Sequence, residues 1–419
     1  MAHLVVRGGL RLSGQVAVDG NKNAALPLLA ACVLTPETCE LRNVPQIRDV
    51  AVMIALLRSL GATVEGEGTS TLRVTCANVP SGTPDAALVG RLRGSVMLMG
   101  SLLARVGWAT LAPPGGDFPA RRSIATHLRA LEALGARVTN HSEGHRLEAP
   151  AGLKAVSMYL PEASVTGTET ALMAAAVASG TSEFRHAACE PHVVELCEML
   201  TAMGAVVEGA GTTTLRITGT PALRGVTHTL RGDYIEAASW GVVGAVTGGD
   251  VIVRGAKALD LEPTVAVLVD MGLDCDLNDD EFIVRPSSLH AVKRITTGLW
   301  PAFPSDIVSL VTVMATQAEG RTLLHDWMYE LRLFALEQLS AMGADLFLCD
   351  SHRIIVTGRT KLRGRTLDSR DIRSGMALIA AALAAEGESR ILEIETVERG
   401  YADLVNRLTG IGADVERHE

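Results

Sequence analysis

The chain has 419 residues, 47% of them hydrophobic but only 3% aromatic, and a formal net charge of −9. That length predicts two domains rather than one core, and the acidity argues against nucleic acid as a partner while leaving room for a small anion held by local Lys and Arg. No apolar run reaches membrane-spanning length without a charge or turn residue, residues 1–9 lack a signal-peptide layout, and seven cysteines without a Cys-x-x-Cys argue against a disulfide framework and against zinc; a soluble cytoplasmic protein is expected.

Two short strands, residues 4–7 and 15–18, precede an Ala-rich helical stretch at 24–33. That stretch has counterparts at 95–106, 171–180, 239–248, 309–320 and 375–387. A strand follows in most copies, as at 181–186, Asp250–Arg254, 321–325 and 389–393. An amphipathic helix then closes on a recurring phrase. Leu57-Arg58-Ser59-Leu60-Gly61-Ala62 returns as Leu131-Glu132-Ala133-Leu134-Gly135-Ala136 and ends the series as Leu408-Thr409-Gly410-Ile411-Gly412-Ala413. Its glycines, at 61, 135, 204, 272, 343 and 412, stand roughly 70 residues apart, and each suits a left-handed helix C-cap. Hairpins are expected around Gly66-Glu67-Gly68 and Gly209-Ala210-Gly211-Thr212.

The chain therefore reads as α/β, six repeats of one helix–strand–helix–strand–strand unit, three per domain. The last copy stops after residues 414–417, so the N-terminal strands are expected to supply its missing partner. The domains are then 22–230 and 1–21 plus 231–419. A solenoid would use shorter units stacked open-ended.

Chemistry is expected where the copies differ. Lys22, in Gly20-Asn21-Lys22-Asn23-Ala24, opens a helix whose N-terminus favours anions. The Pro/Gly-rich stretch from Pro113 to Arg122 carries Asp117 and two arginines and has the composition of a lid. Asp306, in Phe303-Pro304-Ser305-Asp306, fits an N-cap or a base. Glu330-Leu331-Arg332 and Asp371-Ile372-Arg373 each put an acid beside an arginine, as in an ordinary salt bridge. Arg399-Gly400-Tyr401 is expected to begin the last amphipathic helix, where a cation is unfavourable unless an anion binds. Lys22, Arg93, Arg122, Arg332, Arg373 and Arg399 recur at corresponding edges of the repeats, which points to a doubly anionic substrate held between the domains. No Walker loop, dinucleotide fingerprint, zinc motif or Ser-His-Asp grouping appears.

With these motifs together, the chain resembles the enolpyruvyl transferases over nearly its whole length, and most closely the branch acting on UDP-N-acetylglucosamine. Asn43-Val44-Pro45, Arg48-Asp49-Val50, Leu92-Arg93-Gly94-Ser95, Pro114-Gly115-Gly116-Asp117 and Gly232-Asp233-Tyr234-Ile235-Glu236-Ala237 carry the likeness further. The resemblance implies a two-domain inside-out α/β barrel. It implies transfer of the enolpyruvyl group of phosphoenolpyruvate to a hydroxyl of a uridine nucleotide, through a tetrahedral ketal, with release of phosphate and no cofactor. Carried over by position, Lys22, Arg122 and Arg399 hold phosphoenolpyruvate. Arg93, Arg332 and Arg373 complete the cationic pocket, and Asp306 is the base. Asn23 and Glu330 orient acceptor or intermediate, and His127, Ser164, Val165 and Asp371 join the substrate-binding set. A monomer or weak homo-oligomer is expected.

The departures fall on the lid and the acceptor side. Asp117 replaces the family's usual cysteine, which implies a carboxyl general acid and resistance to the epoxide fosfomycin. The family's Arg-Pro-x-Asp-x-His segment reads Arg122-Ser123-Ile124-Ala125-Thr126-His127, and Glu162 stands where a lysine usually meets the nucleotide phosphates. The acceptor is then UDP-N-acetylglucosamine, in peptidoglycan precursor synthesis, or a smaller nucleotide such as UMP, as in nucleoside antibiotic pathways. A silent nucleotide-binding paralogue is a third reading.

Overall fold

The computed structural model describes residues 2–115, 123–279, 281–329 and 332–419. The chain forms two compact units, Gly20–Arg231 and a second built from Met1–Asp19 with Gly232–Glu419. Gly20, Asn21 and Arg231 go with the first unit, against the expected boundaries. The backbone N–H of Asn21 donates to Arg231 O at 2.8 Å, and the Arg231 N–H donates to the Glu195 carboxylate at 2.9 Å.

Six helices are mostly buried and carry several small side chains: α1 (Lys22–Ala31), α2 (Leu98–Val106), α3 (Val165–Ala175), α4 (Tyr234–Val246), α5 (Val308–Gln317) and α6 (Ile372–Ala384). Three lie in each unit, and α4, α5 and α6 pack on one another. Small side chains allow that close approach with few aromatic residues. Three of these helices, at Val165, Tyr234 and Ile372, begin three to six residues before the expected place, because polar caps rather than the Ala run set their starts. Ser164 Oγ accepts from Gly167 N at 3.2 Å, and the Asp233 and Asp371 carboxylates accept from the first-turn N–H groups of α4 and α6. Such caps are worth roughly 0.5–2 kcal/mol each.

Among the described residues there are six sheets. Five share one strand order. In the first unit Thr227–Thr229 runs parallel to Thr38–Arg42, which pairs antiparallel with Thr71–Thr75, then Thr63–Glu65. In the second unit Thr366–Asp368 runs parallel to Gly387–Leu392, which pairs antiparallel with His3–Gly8, then Asp414–His418. The N-terminal strand thus fills the place left by the chain's end. The other N-terminal strand, Ser13–Ala17, lies instead parallel to Asp250–Arg254. The recurring glycines all take positive φ, between 88° at Gly272 and 119° at Gly204, the left-handed geometry that ends a helix without a Cβ clash.

The helices that end at these glycines are not built alike. The expected helix before Gly343 is a 3-10 turn, Arg332–Glu337, followed by the single turn Gln338–Ala341. The stretch before Gly412 splits into Ile394–Glu398 and Leu404–Gly410. No described helix is long and apolar enough to cross a membrane.

Candidate functional site

In the second unit a carboxylate is gripped by two guanidinium groups. Asp306 follows Pro304 in the 3-10 turn Ser305–Ile307, which leads into α5. Its Oδ1 lies 3.0 Å from Arg332 Nη1, and its Oδ2 accepts from Arg373 Nη2 at 3.1 Å and Nε at 3.2 Å. Arg332 and Arg373 are 7% and 8% exposed, so the pairs are formed against protein rather than in water. Asp306 is therefore no helix cap. Nor do the adjacent residues pair as expected: Asp371 caps α6 through the backbone N–H groups of Arg373 and Ser374, which leaves the Arg373 guanidinium for Asp306.

Each arginine is braced from behind. Arg373 Nη1 reaches the buried Tyr401 hydroxyl at 3.5 Å, and that hydroxyl shares a 2.8 Å hydrogen bond with Ser239 Oγ of α4. Burial pushes the Tyr401 hydroxyl above its ordinary pKa although Arg373 pulls the other way, so it stays neutral. Arg332 Nη1 donates to Ser305 Oγ at 3.0 Å, and its guanidinium lies over the Tyr329 ring at 4.3 Å. Its buried Nε has no acceptor among the described residues. A buried donor left unpaired costs about 1–3 kcal/mol, which an anionic ligand would recover.

Arg399 lies at the C-cap of Ile394–Glu398 rather than at the start of the next helix. A cation there suits the helix end, so the dipole argument for a bound anion does not hold. Asp117, Arg122 and Glu330 lie outside the described residues.

In the first unit Asn21 caps α1 by accepting from Asn23 N at 2.8 Å, which sets Lys22 and Asn23 at the helix start. Lys22 Nζ sits 2.8 Å from Asp49 Oδ2, with the side chains 12% and 5% exposed. Asp49 belongs to the first turn of the amphipathic helix Arg48–Ser59. Arg93 opens a 3-10 turn, and its Nη2 donates to Ser123 O at 3.4 Å. His127 lies in the first turn of the helix Ala125–Ala133. It is 1% exposed, and its Nε2 shares a 2.9 Å hydrogen bond with Thr166 Oγ1 in the first turn of α3. Burial, with the Arg93 charge second, pushes its pKa down to about 4, so the ring is neutral. It fastens the segment holding Ser164 and Val165, and Ser164 itself serves as the cap of α3.

Cations and one clamped carboxylate at the N-terminal ends of buried helices, in a fold of two such units, match a known family. The EPSP synthase (3-phosphoshikimate 1-carboxyvinyltransferase) family model matches residues 6–408. The chain belongs to the enolpyruvyl transferase family. It is 37% identical to the UDP-N-acetylglucosamine 1-carboxyvinyltransferase of Borrelia garinii over 100% of this chain and 99% of that protein. It is 41% identical to the enzyme of the same name from Treponema pallidum, with 98% of each covered. Among solved structures, the enolpyruvyl transferase NikO from Streptomyces tendae superposes with a TM-score of 0.89 at 26% identity, over 99% of this chain and 98% of that one. EPSP synthase from Acinetobacter baumannii shares the fold, with a TM-score of 0.79 at 19% identity and full coverage of both chains.

Within this enolpyruvyl transferase, several residues of the site had no signal in sequence. Asp49, Ser305 and Tyr401 lay inside motifs that drew attention, but nothing local marks their partners. Glu236 is a further case. Its buried carboxyl pairs with Arg407, which also holds Asp19 at 2.8 Å, and it accepts from Trp240 Nε1 at 3.2 Å. Burial outweighs Arg407 and raises its pKa to about 8. The folded state then keeps a proton that the unfolded chain loses near pH 4, so this contribution to stability is complete below that pH and is lost as the pH rises to about 8. Glu236→Gln is expected to gain about 2–4 kcal/mol relative to wild type between pH 5 and pH 8. Urea unfolding of both proteins at the two pH values checks this, and parallel curves would refute it.

Proposed function

We propose that this enzyme transfers the enolpyruvyl group of phosphoenolpyruvate to a hydroxyl of UDP-N-acetylglucosamine. The observation that carries the reading is Asp306 held by Arg332 and Arg373, one of which keeps a buried donor without an acceptor. The names borne by relatives 37–41% identical along the whole chain support the acceptor. We also read the six sheets and their buried helices as six copies of one unit, arranged as an inside-out α/β barrel.

On this reading Asp306 takes the proton of the acceptor hydroxyl as its oxygen attacks C2 of phosphoenolpyruvate, while C3 gains a proton from Asp117. The tetrahedral ketal then loses a proton from C3 as the C2–O bond to phosphate breaks, giving the enolpyruvyl ether and inorganic phosphate. Lys22, Arg122 and Arg399 hold the donor, and Arg93, Arg332 and Arg373 complete the cationic surface. Preorganised cations of this kind stabilise developing charge without reorganising. A carboxyl at 117 also lacks the thiolate that an epoxide alkylates.

Glu162 and the Arg122–His127 segment keep a second acceptor, UMP, in view, since a carboxylate repels a diphosphate. Phosphate release from phosphoenolpyruvate with each nucleotide in parallel, and mass measurement of the products, decides between them. Turnover with UDP-N-acetylglucosamine is expected. Turnover with UMP alone would transfer the reading to the smaller nucleotide, and none with either would leave a binding protein.

A further inference from the structure

Behind the clamped Asp306 lies a second carboxylate that touches neither arginine. Asp326 directly follows the strand Gly320–His325 and is 0% exposed. Both its oxygens accept hydrogen bonds: Oδ1 from Thr297 Oγ1 at 2.8 Å and from Met328 N at 3.2 Å, Oδ2 from Ser305 Oγ at 2.7 Å. Its backbone is held as firmly. Asp326 N donates to His352 O at 2.8 Å, and its carbonyl lies 2.7 Å from His352 Nδ1. Thr297 is anchored in turn, since its carbonyl accepts from Trp327 Nε1 at 2.7 Å. The carboxylate is thus a fixed point in the fold.

Ser305 stands between this fixed point and Arg332. A guanidinium can only donate and an ionised carboxylate can only accept, whereas a hydroxyl has a single proton. Ser305 must therefore give its proton to Asp326 and turn its lone pairs toward Arg332. The direction of the relay is forced by the chemistry of its two ends. Arg332 Nη1 then sits 3.0 Å from both Ser305 Oγ and Asp306 Oδ1.

We propose that Asp326 is a positioning residue for enolpyruvyl transfer, acting through the Ser305 hydroxyl to hold Arg332 against Asp306. The inference rests on the proposed role of Asp306. It assigns to a buried acid 20 residues farther along the chain a share in the catalytic geometry that no local motif announces. An amide at 326 has one acceptor oxygen where the carboxylate has two. It must set an N–H against either Thr297 or Ser305, and a reversed Ser305 would point its proton at the guanidinium. A misplacement on the order of 1 Å at a reacting group costs roughly 100-fold in rate.

The test compares Asp326→Asn, Ser305→Ala, Ser305→Thr and the Asp326→Asn/Ser305→Ala pair by phosphate release with phosphoenolpyruvate and UDP-N-acetylglucosamine. Asp326→Asn is expected to lower kcat by about 10- to 100-fold, and Ser305→Ala by a similar factor. The pair should be no slower than either single variant, because both changes cut one relay. Ser305→Thr, which keeps the hydroxyl, should restore most of kcat. A purely structural acid would instead lower the unfolding midpoint while kcat per folded molecule stayed within about threefold of wild type, and that result overturns the inference. Independent, multiplying losses in the pair overturn it too. Should Asp326→Asn fail to fold, Ser305→Ala against Ser305→Thr still decides, since only the hydroxyl differs in the relay. A wild-type enzyme without turnover would count against the proposed function itself, a result distinct from active wild type with indifferent variants.

Discussion

Asp306→Asn is expected to lower kcat by about 10²–10⁴-fold, the range that a positioned general base commands. The side chain keeps its size, so the effect isolates charge and basicity. Asp306 has two oxygens committed to two arginines, at 3.0 Å and 3.1 Å. An amide can accept from one guanidinium but presents N–H groups to the other. One buried arginine is then left short of a partner, at a cost of about 2–4 kcal/mol in stability. The two losses separate by measurement. Phosphate release at saturating substrate reports kcat, and urea unfolding reports the orphaned guanidinium. Because Lys22 and Arg399 belong to other elements, the KM for phosphoenolpyruvate should move far less than kcat. A kcat within threefold of wild type would remove Asp306 from the role of base.

The glycine-ended helices were legible because they rest on local chemistry. A glycine that must take φ near +100° at a helix end leaves a mark in any sequence, and the Leu-x-x-hydrophobic-Gly phrase recurs for that reason. Helix starts were less legible. Ala content spreads along a buried helix, while the start is set by one polar cap such as Asp233 or Asp371. The site divides in the same way. Arg332, Arg373 and Asp306 stood out as charged residues in motifs, but their pairing did not. Sequence neighbours suggested Asp371 with Arg373, whereas the guanidinium crosses 67 residues to Asp306. His127 entered the substrate-binding set through the family resemblance alone, and nothing in the sequence marked the hydrogen bond of its buried ring to Thr166. Asp326 was invisible altogether, since its contact with Ser305 spans 21 residues and carries no periodicity.

Lys22→Met is expected to damage the enzyme twice, and the second damage can be repaired without the first. Lys22 Nζ and Asp49 Oδ2 form a 2.8 Å pair in which the carboxylate side is 5% exposed. Removing one partner of a buried pair costs about 3–5 kcal/mol, because a charge stays behind in a poor solvent for it. Lys22 retains some exposure, so a loss of about 2–4 kcal/mol is expected here. On the proposed reading the same lysine binds the phosphate or carboxylate of phosphoenolpyruvate, so kcat/KM for the donor should fall by about 10²-fold or more. Asp49→Asn in the Lys22→Met background removes the stranded charge and should return most of the stability, less a few tenths for the acid lost from the first turn of Arg48–Ser59. It should return none of the donor turnover. Urea unfolding and donor titration of the single and double variants make the comparison. If turnover recovers together with stability, Lys22 matters to the fold alone; if stability stays low in the double variant, the pair with Asp49 is not what Lys22 contributes to it. A restored fold with an idle donor site would show that one short ion pair keeps the lysine in place while the substrate uses its charge.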